Sequence, residues 1–254
     1  MLTLGKSLKN ITNTIFIATE LVLLCLILFA NTNVDLVCFI TVCLACIHGG
    51  AFVIIRKKDY ACICALAFTV ISDVFLVLRY TSTGAYSDQA IAMSTFSIAQ
   101  LSYFAFMFLQ TENKKLRTAH VITRIALSTF AVALTLIVLK ENANYMLVVT
   151  MFYFANLLLN AVFSFVEFKK FNVMAIGFVF FILCDVLIGL SIALGSIIIV
   201  PESSFLYRIT FSGFNFAWLF YVISQTLLSL YVARAQDFNK AKLNAKTIEP
   251  VGEN

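Results

Sequence analysis

Eight times along the chain, roughly 20 consecutive residues pass with almost no charge: residues 11–30, 35–55, 60–80, 90–109, 121–139, 145–166, 173–195 and 211–232. A bilayer hydrocarbon core about 30 Å thick needs about 20 apolar residues per helix. Lipid offers the backbone no hydrogen-bond partner, so runs of this length are expected to cross a membrane as helices that satisfy their own amides. Composition agrees, with 61% hydrophobic and 12% charged residues and a mean hydropathy of +0.96, against about 45–50% apolar and about 25% charged in soluble domains. The expected fold is all-α, a polytopic membrane protein of eight transmembrane helices over residues 1–233, with a polar, basic tail at 234–254. Breaks at 56–59, 110–120, 140–144 and 167–172 are short, so successive helices should be antiparallel neighbours. Lys6 and Lys9 precede the first run as they would in a signal peptide. No small-x-small cleavage site follows, so the run is read as a helix.

Orientation follows from lysine and arginine, which favour the cytoplasmic side of short loops. Placing the N-terminus, the even-numbered loops and the tail on one side collects fifteen basic residues, with Arg124 counted in the fourth loop; Arg79, Lys140 and Arg208 fall on the other side. Both termini are therefore expected in the cytoplasm, and the tail from Arg234 to Lys246 reads as an anchor near anionic membrane lipids. No nucleic-acid partner is implied, because the charge is spread over loops without a recognition motif. Cys25, Cys38, Cys43, Cys46, Cys62, Cys64 and Cys184 all lie in or beside apolar runs, where cysteine acts as a small hydrophobe. Cys43-Leu-Ala-Cys46 has no companion ligand pair, so no metal or redox site is read from it.

Two carboxylates interrupt this pattern. Asp73 in "TVISDVFLVLRY" and Asp185 in "FILCDVLIGL" sit in the third and seventh runs, roughly 18–20 Å in from the cytoplasmic end at 1.5 Å per residue. Ser-Asp-Val-Phe-Leu and Cys-Asp-Val-Leu-Ile lie four spans apart, which suggests two similar four-helix halves in parallel orientation. An acid at such depth should face the bundle interior, with a partner or a function. Other polar residues could line the same interior: Tyr153, Asn156, Asn160 and Ser164 on one stripe of the sixth span, Gln100 and Tyr103 in the fourth, and Asn215, Trp218, Tyr221 and Gln225 in the eighth. Such stripes also serve as packing glue between helices. Glu20 is a third acid, ranked below the pair, and His48 reads as a hydrogen-bonded interface residue or a base.

"ISDVFLVL", Gly84, "FSIAQLSYFAF", "GFVFFILCDVLIGL" and "YVISQTLL" resemble the YhhN family of membrane lysoplasmalogenases, a likeness that runs from the third span to the eighth. Asp73, Tyr103, Asp185, Tyr221 and Gln225 match the family's motifs by position. Gln100 stands where the family usually has histidine, and His48-Gly-Gly stands where a Lys-Pro pair is typical. The resemblance implies hydrolysis of the vinyl-ether bond of a lysophospholipid substrate, giving a fatty aldehyde and a glycerophospho-headgroup, with no cofactor and no metal. That chemistry suits two buried acids. One carboxylic acid protonates the β-carbon, and the other carboxylate steadies the oxocarbenium ion or orients water, as in glycoside hydrolysis. Asp73 and Asp185 are the expected catalytic pair, with Gln100, Tyr103, Asn156, Asn160, Tyr221 and Gln225 as substrate-binding residues.

Other classes compete. A non-catalytic lipid-binding protein or a proton-coupled small-molecule transporter would also hold acids near the midplane, the latter marked by broken helices. A retinal protein would need a lysine in mid-span, and a zinc lipid hydrolase several histidines, whereas the chain has only His48 and His120. The sequence leaves a homo-oligomer open.

Overall fold

The computed structural model describes the backbone of residues 2–30, 33–56, 58–196, 201–211 and 216–248. Among these residues the fold is all-α, and eight helices are long and apolar enough to cross a membrane. In chain order they are α1 (Leu2–Phe29), α2 (Val34–Arg56), α3 (Tyr60–Asp73), α4 (Tyr86–Gln110), α5 (Lys114–Leu139), α6 (Tyr145–Val166) and α7 (Phe168–Ser196), then a short α8 (Phe205–Phe211), and α9 (Phe216–Ile248). The third crossing continues past α3 as a π-helix, Val74–Tyr80, so Asp73 is the last α-helical residue before the backbone widens. Nothing in the local sequence announces that change.

Asparagine caps set the starts of α5 and α6. The Asn113 side chain accepts from the backbone N–H of Lys115 at 3.0 Å and Leu116 at 3.3 Å, and Asn144 accepts from Leu147 at 2.9 Å, each satisfying donors that a helix start leaves open. The cap at Asn113 starts α5 seven residues before the run expected at residue 121. α7 likewise starts at Phe168, bends at Phe171 (φ −110°, ψ 21°) and only then enters the run expected from residue 173. Asn215 and the side chains of the basic tail beyond Arg234 lie outside the described residues.

Six crossings form a ring in the order α2, α3, α4, α6, α7, α9, each packed on the next and α9 closing on α2. α1 lies outside against α2 and α9, and α5 lies outside against α6. Aromatic residues fill the ring: Phe181 stands edge-on to Phe96, Tyr153 and Tyr221, with centroids 5.5–6.5 Å apart. Large apolar side chains such as Ile122, Ile125, Phe130 and Ile137 of α5 point outward, the surface that acyl chains would cover.

Both ends of the ring are pinned by polar contacts. At the lysine-rich end, Gln110 donates to Asp59 at 2.8 Å, Lys170 donates to the Gln110 carbonyl, and Thr111 donates to Glu167, so α4 and α7 close on the start of α3. At the other end Arg79 pairs with Asp88 at 3.3 Å, and Asp88 also accepts from Thr83 at 3.0 Å.

Candidate functional site

α3 and α7 stand opposite one another in the ring, each three helices from the other, so their acids approach the centre from facing walls. Asp73 is 1% exposed. It accepts a hydrogen bond from the Tyr221 hydroxyl of α9 at 2.6 Å. Asp185 accepts one from the Tyr153 hydroxyl of α6 at 2.5 Å. The four-span repeat does not extend to their partners, since Tyr221 comes from the eighth crossing and Tyr153 from the sixth. Shifting the first pair by four spans would call on the fourth. Each acid is thus oriented by a phenol whose ring is itself wedged against Phe181.

The remaining expected residues divide into groups. Tyr103 and Gln225 are buried, and the Tyr103 hydroxyl and both amide atoms of Gln225 have no hydrogen-bond partner. Along α9, Tyr221 and Gln225 share one stripe with Ser229, which meets the Nδ1 of His48 at 2.8 Å. His48 also meets Asn13 at 3.1 Å and stacks on Phe16. It is therefore a hydrogen-bonded residue of the α1–α2–α9 contact. Glu20, 3% exposed, has no partner for either carboxyl oxygen.

Gln100, Asn156 and Asn160 gather around Arg124, and this corrects the assignment of Arg124 to a loop. Because α5 starts at Lys114, Arg124 lies well inside the crossing and is 5% exposed. Its guanidinium donates to Asn156 Oδ1 and Asn160 Oδ1, both at 2.6 Å. It also contacts His120 Nε2 at 3.2 Å, and its Cζ lies 4.3 Å from the Phe104 ring centroid. An arginine can only donate, so His120 Nε2 is the acceptor and the ring proton sits on Nδ1. The Asn160 amide in turn donates to Gln100 Oε1 at 2.9 Å, and that of Asn156 to Ser128 at 3.1 Å. Among the described residues no carboxylate pairs with Arg124. Reading α5 from Lys114 onward would have exposed the cluster in advance, because His120, Arg124, Ser128 and Thr135 form one polar face of an otherwise apolar helix.

The stripe on α6 therefore serves two centres. Tyr153 reaches Asp185, while Asn156 and Asn160, one and two turns nearer the lysine-rich end, reach Arg124. In chemical terms the interior offers two acids with phenolic partners, and next to them a guanidinium whose charge is shared only with neutral oxygens, a ring nitrogen and an aromatic face. Comparisons with family models, with curated proteins and with solved structures find no match.

Proposed function

We propose that the chain is a membrane-embedded lysolipid hydrolase that cleaves the vinyl-ether bond of lysoplasmalogen, with Asp73 and Asp185 as its acid pair and both termini in the cytoplasm. The observation that carries this reading is the geometry of the pair: a buried Asp73 and a half-buried Asp185 on facing helices, each held by a tyrosine hydroxyl that packs on Phe181. The YhhN-like motifs around Asp73, Tyr103, Asp185, Tyr221 and Gln225 support it from the sequence side. One carboxylic acid gives its proton to the β-carbon of the vinyl ether, and the ether oxygen shares the positive charge that results. Water adds to the oxocarbenium carbon and passes its proton to the other carboxylate. The hemiacetal then collapses to a fatty aldehyde and the free glycerophospho-alcohol, consuming one water. The tyrosines fix the direction of each carboxyl group, and the aromatic ring fill limits the water that can enter.

The proton-coupled carrier is the second reading, and the π-helical turn that follows Asp73 favours it, since irregular helix geometry at an intramembrane acid is common at functional positions. Incubating the purified protein with 1-alkenyl lysophosphoethanolamine and following products by mass spectrometry separates the two. Aldehyde release that falls by about 10²–10⁴ in Asp73→Asn or Asp185→Asn, the usual range for a lost general acid or base, supports hydrolysis. Release that persists in either well-folded variant removes the two-acid mechanism, and unchanged lipid in every sample favours the carrier.

A further inference from the structure

We propose that Arg124 is the anchor of an anion site that takes the phosphate of a lysophospholipid headgroup. The anion site stands on the geometry around Arg124; its assignment to a lipid phosphate rests on the hydrolase reading above.

What the cluster lacks is a negatively charged acceptor. An arginine inside a membrane crossing costs several kcal/mol unless something compensates its charge, and here the partners are neutral: two asparagine oxygens, one imidazole nitrogen and the Phe104 ring. The polar atoms of the cluster left without a partner are Arg124 Nε and Gln100 Nε2, both buried and both donors. A cluster that leaves only N–H groups open around a cation is short of an acceptor, and beside a guanidinium an anion fills that place best. Arg124 Nε and Nη2 form one edge of the guanidinium, and Nη2 is the nitrogen that now meets both Asn160 Oδ1 and His120 Nε2. An oxyanion that takes over one of those two contacts gains both N–H groups of the edge, the parallel pair by which guanidinium binds phosphate. Gln100 Nε2, linked to the same Asn160 amide through Gln100 Oε1, adds a third donor.

The spacing fits the substrate proposed for the acid pair. Tyr153, which holds Asp185, lies three residues from Asn156 and seven from Asn160 on α6, or about 4.5 and 10.5 Å along the helix at 1.5 Å per residue. In a lysoplasmalogen five bonds separate the vinyl-ether oxygen from phosphorus, about 6 Å when extended at roughly 1.2 Å of advance per bond. A molecule with its ether at the acids would bring its phosphate to Arg124, with its alkenyl chain running the other way, towards the Arg79–Asp88 end.

The test measures equilibrium binding to the full-length protein in nanodiscs with three probes: a saturated 1-alkyl lysophosphoethanolamine, which has no vinyl ether to cleave; the matching 1-alkylglycerol, which lacks phosphate; and inorganic phosphate. Arg124→Gln should weaken the lysophospholipid by about 10- to 100-fold, the worth of a hydrogen-bonded charge, and leave the alkylglycerol unchanged. Competition by inorganic phosphate that disappears in Arg124→Gln would assign the site to free phosphate, and no competition would assign it to phosphate delivered on a lipid. Gln100→Glu covers the case in which Arg124→Gln does not fold. It installs the missing carboxylate beside the guanidinium, so it should raise Tm and abolish the phosphate-dependent part of binding. Unchanged lysophospholipid affinity in a folded Arg124→Gln, or in Gln100→Glu if the first variant fails to fold, overturns the site. Arg124-dependent binding without aldehyde release would leave the site standing and remove the hydrolase, whereas aldehyde release with a KM indifferent to Arg124 would do the reverse.

Discussion

Replacing Tyr221 with phenylalanine removes one oxygen and almost nothing else. The ring keeps its contacts with Phe181 at 5.5 Å and Trp218 at 6.0 Å, so no cavity larger than a hydroxyl opens. What is lost is the 2.6 Å bond to Asp73, a carboxyl group that is 1% exposed. Leaving a buried acceptor without its donor costs about 1–3 kcal/mol in soluble proteins. Side-chain hydrogen bonds within membranes average about 0.6 kcal/mol and reach about 1.7. The short distance and full burial put Tyr221→Phe at the upper end, about 1–2 kcal/mol. Reversible unfolding in mixed micelles would measure that loss. On the hydrolase reading proposed above, aldehyde release measured in parallel should show kcat reduced by about 10-fold, the cost of roughly 1.4 kcal/mol of lost orientation in the transition state, with KM little changed. In a double-mutant cycle the effects of Tyr221→Phe and Asp73→Asn should fall short of additive, since both act through one bond. Additive effects, or a Tyr221→Phe protein as stable and as fast as the parent, would refute the claim that the phenol holds Asp73.

Single cysteines in a cysteine-free background test the topology: Glu112, in the α4–α5 turn, should react with an impermeant reagent only from the cytoplasmic side, and Thr83 only from the opposite side. Equal labelling of both from one side would overturn the order of crossings. At Gly177 on α7, a Cβ would lie 3.2 Å from two carbons of Leu228 and 3.4 Å from Leu227 Cβ on α9. Gly177→Ala should therefore cost no more than about 1 kcal/mol, and Gly177→Leu about 2–3 kcal/mol through overpacking, read as a lower unfolding midpoint in the same micelles.

Hydropathy made the crossings legible, because a run of some twenty apolar residues has few other folds open to it. Asp73 and Asp185 were legible for the same reason, since one acid in such a run stands out, and the stripe from Tyr153 to Ser164 could be read from helical spacing. The partners could not. Whether Asn156 turns its oxygen towards a lipid or towards Arg124 depends on how α5 docks, and periodicity describes one helix at a time. Arg124 itself was misplaced because the run was read from residue 121, which left the arginine three residues inside it, near enough to count with the loop. Asn113 caps the helix seven residues earlier, and that carries Arg124 about two turns further into the bundle. The π-helix after Asp73 leaves no mark in composition, because residues of ordinary helix propensity form it.

α5 lies outside the ring and leans chiefly on α6, yet it is the crossing that carries Arg124. During synthesis it therefore reaches the membrane before most of its compensation exists. Asn156 and Asn160 are still unmade when residue 124 emerges, and an arginine at mid-helix adds about 2.5–3.5 kcal/mol to the cost of entering lipid. Only His120, four residues earlier on α5 itself, and the Phe104 face on α4 are already in place. The fifth crossing thus has reason to wait beside the fourth until the sixth is complete, so that the three enter the bilayer as one unit.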